Sequence, residues 1–155
     1  MSLRDNLLQD AESALRALDP IAIGADGTVR DAVRLMQDRR VGCVFITEHK
    51  RPIGVFTERD VLTKVMGDGL PLGTPIVEVM TRNPRVIEEG WSVANVIQTM
   101  HDGGFRHMPV VDESGRLTRV VSVKRVVEYL VEHFPSAVFN LPPKPVQSLA
   151  TREGA

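Results

Sequence analysis

The 155-residue chain is poor in cysteine, in aromatic side chains and in net charge. Cys43 is the only cysteine, so the chain cannot form an internal disulfide, which fits a reducing compartment. Its 19 basic and 20 acidic residues, with 5% aromatics, provide neither a broad basic surface nor a stacking platform. Both absences argue against a nucleic acid as partner.

Long apolar runs are also missing. No stretch approaches the roughly 20 apolar residues that cross a membrane, and the first residues lack the hydrophobic segment of a secretion signal. We therefore expect a cytoplasmic protein that does not insert into a membrane. The 43% hydrophobic and 25% charged residues that are present are ordinary for a soluble chain of one compact domain or two half-domains.

The sequence repeats itself at a shift of 64 to 65 residues. Pro20, Val29, Val33 and Met36 recur as Pro84, Val93, Ile97 and Met100, while Thr57, Val61 and Leu62 recur as Ser122, Val126 and Val127. Such a period indicates two copies of one small α/β unit. Each copy is too small to bury an adequate core alone, so we expect the two to pack together around a cleft that serves as the functional site.

The apolar pattern predicts the order strand, helix, strand, strand, helix in both copies. The predicted strands are 21–23, 41–47 and 53–56 in the first copy, and 108–111 and 117–121 in the second. The closing helices are expected to bury Val61, Leu62, Val65 and Met66, and then Val126, Val127, Leu130 and Val131. Segment 74–78 is expected to be a short helical turn capped by Thr74.

The expected organisation has five parts. They are an amphipathic helix over 1–18, the first repeat over 19–68, a linker over 69–80, the second repeat over 81–133 and a proline-rich tail over 134–155. The first helix has an apolar stripe of Leu7, Ala11, Ala14, Leu15 and Leu18. This stripe has two interpretations, because it can cover the core of its own module or pack on a second subunit.

The junction Thr57-Glu58-Arg59-Asp60 stands between a predicted strand and a predicted helix. A helix start favours a phosphate, the Thr57 hydroxyl adds a donor, and the Asp60 carboxylate can accept from both hydroxyls of a ribose diol. The same pattern is also a helix capping box, as at Thr28-x-x-Asp31. The four residues alone leave both interpretations open.

Together with the repeat, this junction and the segment Phe105–Asp112 resemble tandem CBS domains, named after cystathionine β-synthase. The resemblance covers roughly residues 19–133. It implies an α/β fold of two βαββα repeats in one pseudo-two-fold module, which usually dimerises. It also implies clefts that bind adenosine-containing ligands such as AMP, ADP, ATP, NAD or S-adenosylmethionine.

The resemblance assigns site residues position by position. Thr57 matches a phosphate contact and Asp60 a ribose contact; the remaining matches are Gly42, Cys43, Val44 and Val55 beside Thr81, Asn83 and Pro84 around the adenine, and Arg106 and His107 near the phosphates. The second cleft, built around Ser122, Arg125, Ile21 and Ala22, departs from the family pattern. Arg125 replaces the ribose-binding aspartate and offers no acceptor. This cleft is therefore expected to be empty, selective for more negative ligands, or structural.

We expect a non-catalytic sensor that binds an adenine nucleotide, AMP first, requires no cofactor, forms a homodimer and acts on an effector protein in trans. A ligand-free scaffold that regulates an enzyme or transporter is the main alternative. A nucleotide-handling enzyme is disfavoured because no nucleophile, base and metal set can be assembled. The histidines His49, His101, His107 and His133 are scattered, so no metal site is expected.

Overall fold

The computed structural model describes residues 2–134. After two short helices, α1 (Leu3–Leu7) and α2 (Ala11–Ala14), the first repeat contains β1 (Ala22–Gly24), α3 (Val29–Arg39), β2 (Cys43–Glu48) and β3 (Arg51–Thr57). It closes with α4 (Glu58–Asp60), which continues as a π-helix over Val61–Gly67. The predicted tail, apart from Phe134, lies outside the described residues.

The second repeat follows a 3₁₀ turn at Ile76–Glu78 and a short strand, β4 (Thr81–Arg82). Its own elements are β5 (Ile87–Glu88), α5 (Val93–Gly103), β6 (His107–Val111), β7 (Leu117–Ser122) and α6 (Val123–His133). The order strand, helix, strand, strand, helix is therefore present twice. The mixed α/β fold with two related repeats is as predicted.

Each repeat contributes one sheet, and the segment that leads into each repeat pairs with the sheet of the other. The first sheet has the order β1-β2-β3-β4, so β4, which precedes the second repeat, pairs with β3 of the first. In the second sheet, β5-β6-β7, Leu18 of the segment before β1 forms a bridge to Val120. This exchange joins the two repeats and leaves a cleft between them.

Two apolar cores lie beneath the sheets. The first contains Val29, Ala32, Met36, Val44, Ile46, Phe56, Ile76 and Met80, and the second contains Ala11, Leu15, Ile87, Val93, Val96, Met100, Met108, Val110, Val121, Val126 and Tyr129. Strand alternation explains why Val44 and Ile46 of β2 both belong to the first core, since residues two apart in a strand point to the same face. Burying these side chains is the main favourable term for the fold.

The N-terminal segment differs from the single helix predicted for 1–18. The chain forms α1 and α2 separately, because Asp10 begins the second helix by accepting from Ser13 N at 3.2 Å. Ala11 and Leu15 are only 1% exposed and belong to the second core. The apolar stripe therefore covers the core of its own module, although Leu18 at its end is exposed.

The closing helices and the predicted cap at Thr74 also differ from the sequence predictions. Leu62, Met66 and Val127 were expected to be buried, but they are 63%, 72% and 55% exposed. Leu62 and Val127 are equivalent positions and both are exposed, although Leu62 lies on a π-helix and Val127 on an α-helix, so both closing helices have apolar residues on their outer side. Thr74 caps no helix; its hydroxyl donates to the carbonyl of Pro71 at 2.6 Å.

Within residues 2–134, no helix is both long enough and apolar enough to cross a bilayer.

Candidate functional site

The cleft between the repeats has two adjoining lobes. The first, which we call the Thr57 lobe, has a volume of about 490 Å³. It is lined by Gly42, Cys43, Val55, Thr57, Glu58, Arg59, Gly104, Phe105, Arg106 and His107. It therefore joins the end of the first sheet and the start of α4 to the chain that leads into β6. Six of the predicted site residues meet here.

The second lobe, called the Trp91 lobe, has a volume of about 720 Å³. Its lining residues are Phe45, Val55, Thr81, Asn83, Pro84, Arg85, Val86, Glu88, Trp91, Phe105 and His107. Val55, Phe105 and His107 line both lobes, so the two form one continuous cleft. Thr81, in β4 at the edge of the first sheet, lines this lobe together with Asn83 and Pro84, which follow it in the chain.

The Thr57–Asp60 junction forms a complete capping box. Asp60 Oδ2 accepts from Thr57 N at 2.9 Å and from Thr57 Oγ1 at 3.2 Å, while Asp60 N donates to Thr57 Oγ1 at 3.4 Å. The second carboxylate oxygen, Oδ1, lies 3.1 Å from Lys64 Nζ. The capping-box interpretation of the motif is therefore confirmed. Asp60 lines neither lobe, but these bonds hold it against Thr57, which lines the Thr57 lobe.

Asp60 retains part of its capacity to accept hydrogen bonds. An ionised carboxylate has about four lone-pair sites. The two donors of Thr57 use the sites of Oδ2, whereas Lys64 uses one site of Oδ1. One further hydroxyl can be accepted directly, and a second requires the Thr57 hydroxyl or Lys64 to turn away. The carboxylate can thus hold a ribose, with a local exchange of partners.

Two predicted residues have surroundings that determine their chemistry. Burial raises the pKa of the Cys43 thiol to about 12, with a smaller contribution from the Asp60 charge, so Cys43 is a neutral, inert wall of the cleft. Burial also lowers the pKa of His107, and Arg106 lowers it further while Glu58 opposes them. His107 is therefore a neutral imidazole at pH 7 that can be charged by an incoming anion.

Val44 and several lining residues differ from the sequence expectation. Val44, predicted in the adenine slot, is fully buried in the first core and its side chain faces away from the cleft. Cys43 and Phe45, on the opposite face of β2, line the cleft instead. Phe45 was missed, although period-two alternation along the strand identifies it. Arg59 and Arg85 were also missed, although Arg59 directly precedes the predicted Asp60 and Arg85 directly follows the predicted Pro84.

The second predicted site is arranged differently. Arg125 N donates to the Ser122 hydroxyl at 3.4 Å, and Arg125 Nη1 lies 2.9 Å from Glu128 Oε2. Helix α2 packs beside this ion pair and leaves a cavity of only about 10 Å³. The other two predicted residues are not part of this cavity, because Ile21 packs against the first core and Ala22 is exposed in β1.

A more open pocket of about 480 Å³ lies beside α2, with an acidic wall. Glu12 and Asp19 line it with Arg119, and Arg119 forms an ion pair with Asp19. Burial and the nearby carboxylates of Glu89 and Asp10 raise the pKa of Glu12. A phosphate would meet acidic groups and an arginine that is already paired, so this region is unsuited to a nucleotide.

Within residues 2–134, no group of three or more histidine, cysteine, aspartate or glutamate side chains is placed to hold a metal ion.

Comparisons with known proteins give a consistent family. The CBS domain model matches residues 15–67 and again residues 76–132. The CBS domain-containing protein CBSCBSPB2 of Arabidopsis thaliana is 35% identical over 113 residues, which is 72% of this chain and 21% of that protein. The chain thus spans about a fifth of the length of this curated relative.

Solved structures agree in fold. A CBS-domain protein from Agrobacterium tumefaciens is 28% identical, with a TM-score of 0.68 over 79% of this chain and 94% of that one. A CBS domain protein from Pyrobaculum aerophilum, solved as a complex with AMP, is 25% identical, with a TM-score of 0.68 over 77% and 97% of the two chains. The chain therefore belongs to the CBS domain family and contains two CBS domains in tandem.

Proposed function

We propose that the chain is a regulatory module that binds one adenosine-containing nucleotide in the cleft between its repeats, with AMP the preferred ligand. The observation that carries this proposal is the continuous cleft that unites Thr57, Arg106 and His107 with an aromatic second lobe. Each lobe has the roughly 300–1,000 Å³ volume of a small-molecule site. ADP, ATP and NAD share the adenosine unit and are the other candidate ligands.

The Thr57 lobe suits the phosphate. Arg59 and Arg106 line it, and neither has an ion-pair partner within residues 2–134. Guanidinium groups bind phosphate oxygens in a bidentate manner, so two unpaired arginines favour an anionic group here. Glu58 on the same wall limits the negative charge that the lobe accepts. A monophosphate is therefore favoured over a triphosphate.

The Trp91 lobe suits the base. Phe45, Val55 and Phe105 provide apolar surface, and the ring of Trp91 lines the same space. Aromatic and apolar walls with a few polar groups are typical of sites that bury a planar ligand. With the base here and the phosphate in the Thr57 lobe, the ribose lies between the lobes, and Asp60, behind Thr57, is the carboxylate proposed to accept its hydroxyls.

The relative from P. aerophilum that was solved with AMP supports this choice of ligand. Because both repeats line the cleft, a ligand that contacts both changes the free energy of their relative packing. It shifts that packing only if its affinity differs between two arrangements. We propose that a partner protein in trans reads this change in the cytoplasm, and that the module itself is not an enzyme.

A homodimer is proposed through the exposed apolar face of the closing helices. Leu62 and Met66 on the π-helix are 63% and 72% exposed, and Val123 and Val127 on α6 are 40% and 55% exposed. Leu62 and Val127 are equivalent in the two repeats, so the face has the approximate symmetry of the module. A second copy offers the same apolar surface, which suits a self-complementary twofold contact.

A ligand-free scaffold is the second candidate function. Both carboxylate oxygens of Asp60 already have partners within the fold, and the equivalent Arg125 is paired with Glu128. A module with satisfied charges at both positions can serve as a rigid dimerising unit without ligand. This alternative predicts no nucleotide binding at all.

Calorimetric titration with AMP separates the two functions. The sensor predicts saturable binding with one site per chain, because only the first cleft has the acceptor and the unpaired arginines. Adenosine without phosphate should bind at least tenfold more weakly, since it loses hydrogen bonds to charged groups worth about 1.5–3 kcal/mol. No binding of AMP, ADP, ATP or NAD would leave the scaffold as the function.

A further inference from the structure

The ammonium group of Lys64 contacts two different segments of the chain. Its Nζ lies 3.1 Å from Asp60 Oδ1 and donates to the carbonyl of Val79 at 2.6 Å. The side chains of Lys64 and Asp60 are only 34% and 13% exposed, so solvent screens this pair less than a surface ion pair. One ammonium group thus links the first repeat to the segment that leaves it.

Val79 lies in the segment that leads from the first repeat into β4. The chain continues through Met80 into β4, where Thr81 pairs with Val55 of β3. Thr81 and Asn83 then line the Trp91 lobe. Lys64 is therefore a strut between the Asp60 carboxylate and the segment that leads to these two lining residues. A displacement of either contact is transmitted to a residue near the ligand.

The second repeat has a related strut at the equivalent position. Tyr129 occupies the place of Lys64 at the 65-residue shift, and its hydroxyl donates to the carbonyl of Asn6 at 2.8 Å. Asn6 belongs to the segment that leads into the first repeat, as Val79 belongs to the segment that leads into the second. Within residues 2–134, the Tyr129 hydroxyl forms no hydrogen bond to a carboxylate, and Arg125 stands where Asp60 would be. Of these two equivalent positions in the described part of the chain, Lys64 alone links a carboxylate to the segment that crosses to the other repeat.

We propose that Lys64 is a positioning residue that orients Asp60 toward the ribose and couples its occupancy to the crossing segment 79–83. This inference rests on the proposed function. The ammonium has three donors, of which two are used, so it can hold Val79 while Asp60 adjusts to an incoming hydroxyl. A ribose that engages Asp60 then changes the order of the crossing segment through one shared cation.

The test compares Lys64→Met, which keeps an unbranched side chain one atom shorter and removes the donors, with Lys64→Arg, which keeps charge and donors. Lys124→Met is the control, because Lys124 is exposed and forms no ion pair within residues 2–134. Affinities for AMP and 2′-deoxy-AMP are measured by calorimetry. Hydrogen exchange at amides 79–83 is followed with and without AMP, and circular dichroism checks the fold.

In the wild type and in Lys124→Met, AMP is expected to bind more tightly than 2′-deoxy-AMP and to protect amides 79–83. Lys64→Met should weaken AMP about tenfold, bring the two affinities together and abolish the added protection. Lys64→Arg should retain most of both effects. If Lys64→Met does not fold, Lys64→Gln, with a neutral donor, should give an intermediate loss of ribose preference.

Unchanged ribose preference and unchanged protection in a folded Lys64→Met variant would overturn the inference while leaving the proposed function intact. A lower melting temperature without a change in either readout would have the same meaning, because it indicates a purely structural contact. Absence of AMP binding in the wild type would instead overturn the proposed function, and the inference with it.

Discussion

Gly54 of β3 packs directly against the side chain of Met80, in the segment that crosses to the second repeat. A Cβ added to Gly54 would lie 2.7 Å from Met80 Cγ and 3.1 Å from Met80 Cβ. The missing side chain therefore allows the crossing segment to approach β3 and lets Arg82 pair with Gly54. The equivalent position in the second repeat holds Arg119, which forms an ion pair with Asp19 instead.

Replacement of Gly54 by alanine is expected to lower the free energy of unfolding by about 1–3 kcal/mol, because Met80 must leave its buried position. Gly73→Ala is the control, since a Cβ there meets nothing within 4 Å and its φ is not positive. It should be neutral or slightly stabilising. Urea unfolding of both variants provides the measurement. Equal stability of the two would show that the approach of β3 and Met80 is loose.

The stability of the fold is expected to decrease in mild acid because of His107. Its pKa in the folded chain lies below the ordinary value of 6.5, owing to burial and to Arg106. The unfolded chain therefore takes up the proton first, and the free energy of unfolding falls as the pH drops from 6.5 toward the folded value. His107→Gln should remove this component of the pH dependence, as measured by urea unfolding between pH 5 and 8.

His101→Gln is the matched control for that experiment, because His101 is exposed on α5 and does not line the cleft. Its pH profile should follow the wild type. Bound AMP should reduce the acid destabilisation, since a phosphate beside His107 favours the charged ring. Identical profiles for the wild type and His107→Gln would rule out His107 as the cause.

The exposed apolar face predicts a dimer that a single charge disrupts. Leu62→Glu places a carboxylate in the centre of this face, where burial without a partner is costly. The variant should sediment as a monomer at concentrations where the wild type is a dimer. Glu113→Gln, in an exposed loop away from the face, serves as the control. A wild-type chain that is monomeric at high concentration would contradict the proposed contact.

The sequence repeat predicted most of the fold, because the same helix caps and the same spacing of apolar residues occur in both copies. Thr57 and Ser122 each end a strand and cap a helix, and the apolar spacing of Val93, Val96 and Met100 matches the buried face of α5. These are local relationships of the kind that a sequence records. The small size of each copy predicted that the two would pack together, and the family resemblance added the assignment of individual site residues.

Features that depend on contacts between distant segments were not predictable. The π-helical winding after Asp60 has no marker in the sequence, and the exposure of Leu62 and Met66 depends on which side of the helix packs against the rest of the fold. Similarly, the sequence does not distinguish Lys64 from an ordinary solvated lysine, because its contact with the carbonyl of Val79 joins residues that are 15 positions apart. The burial of Val44, in contrast, was predictable from the sequence, because the alternation of side chains along β2 places Val44 on the core face with Ile46.

The most direct test of nucleotide binding compares two capping boxes with the same geometry. Asp60 and Asp31 each accept from the N–H of the threonine three residues before them at 2.9 Å, but of the two threonines Thr57 lines the cleft and Thr28 does not. Asp60→Ala and Asp31→Ala should both lower the melting temperature. By calorimetry, Asp60→Ala should also weaken AMP at least tenfold, while Asp31→Ala should bind as the wild type does. Equal AMP affinity in all three proteins would contradict the account.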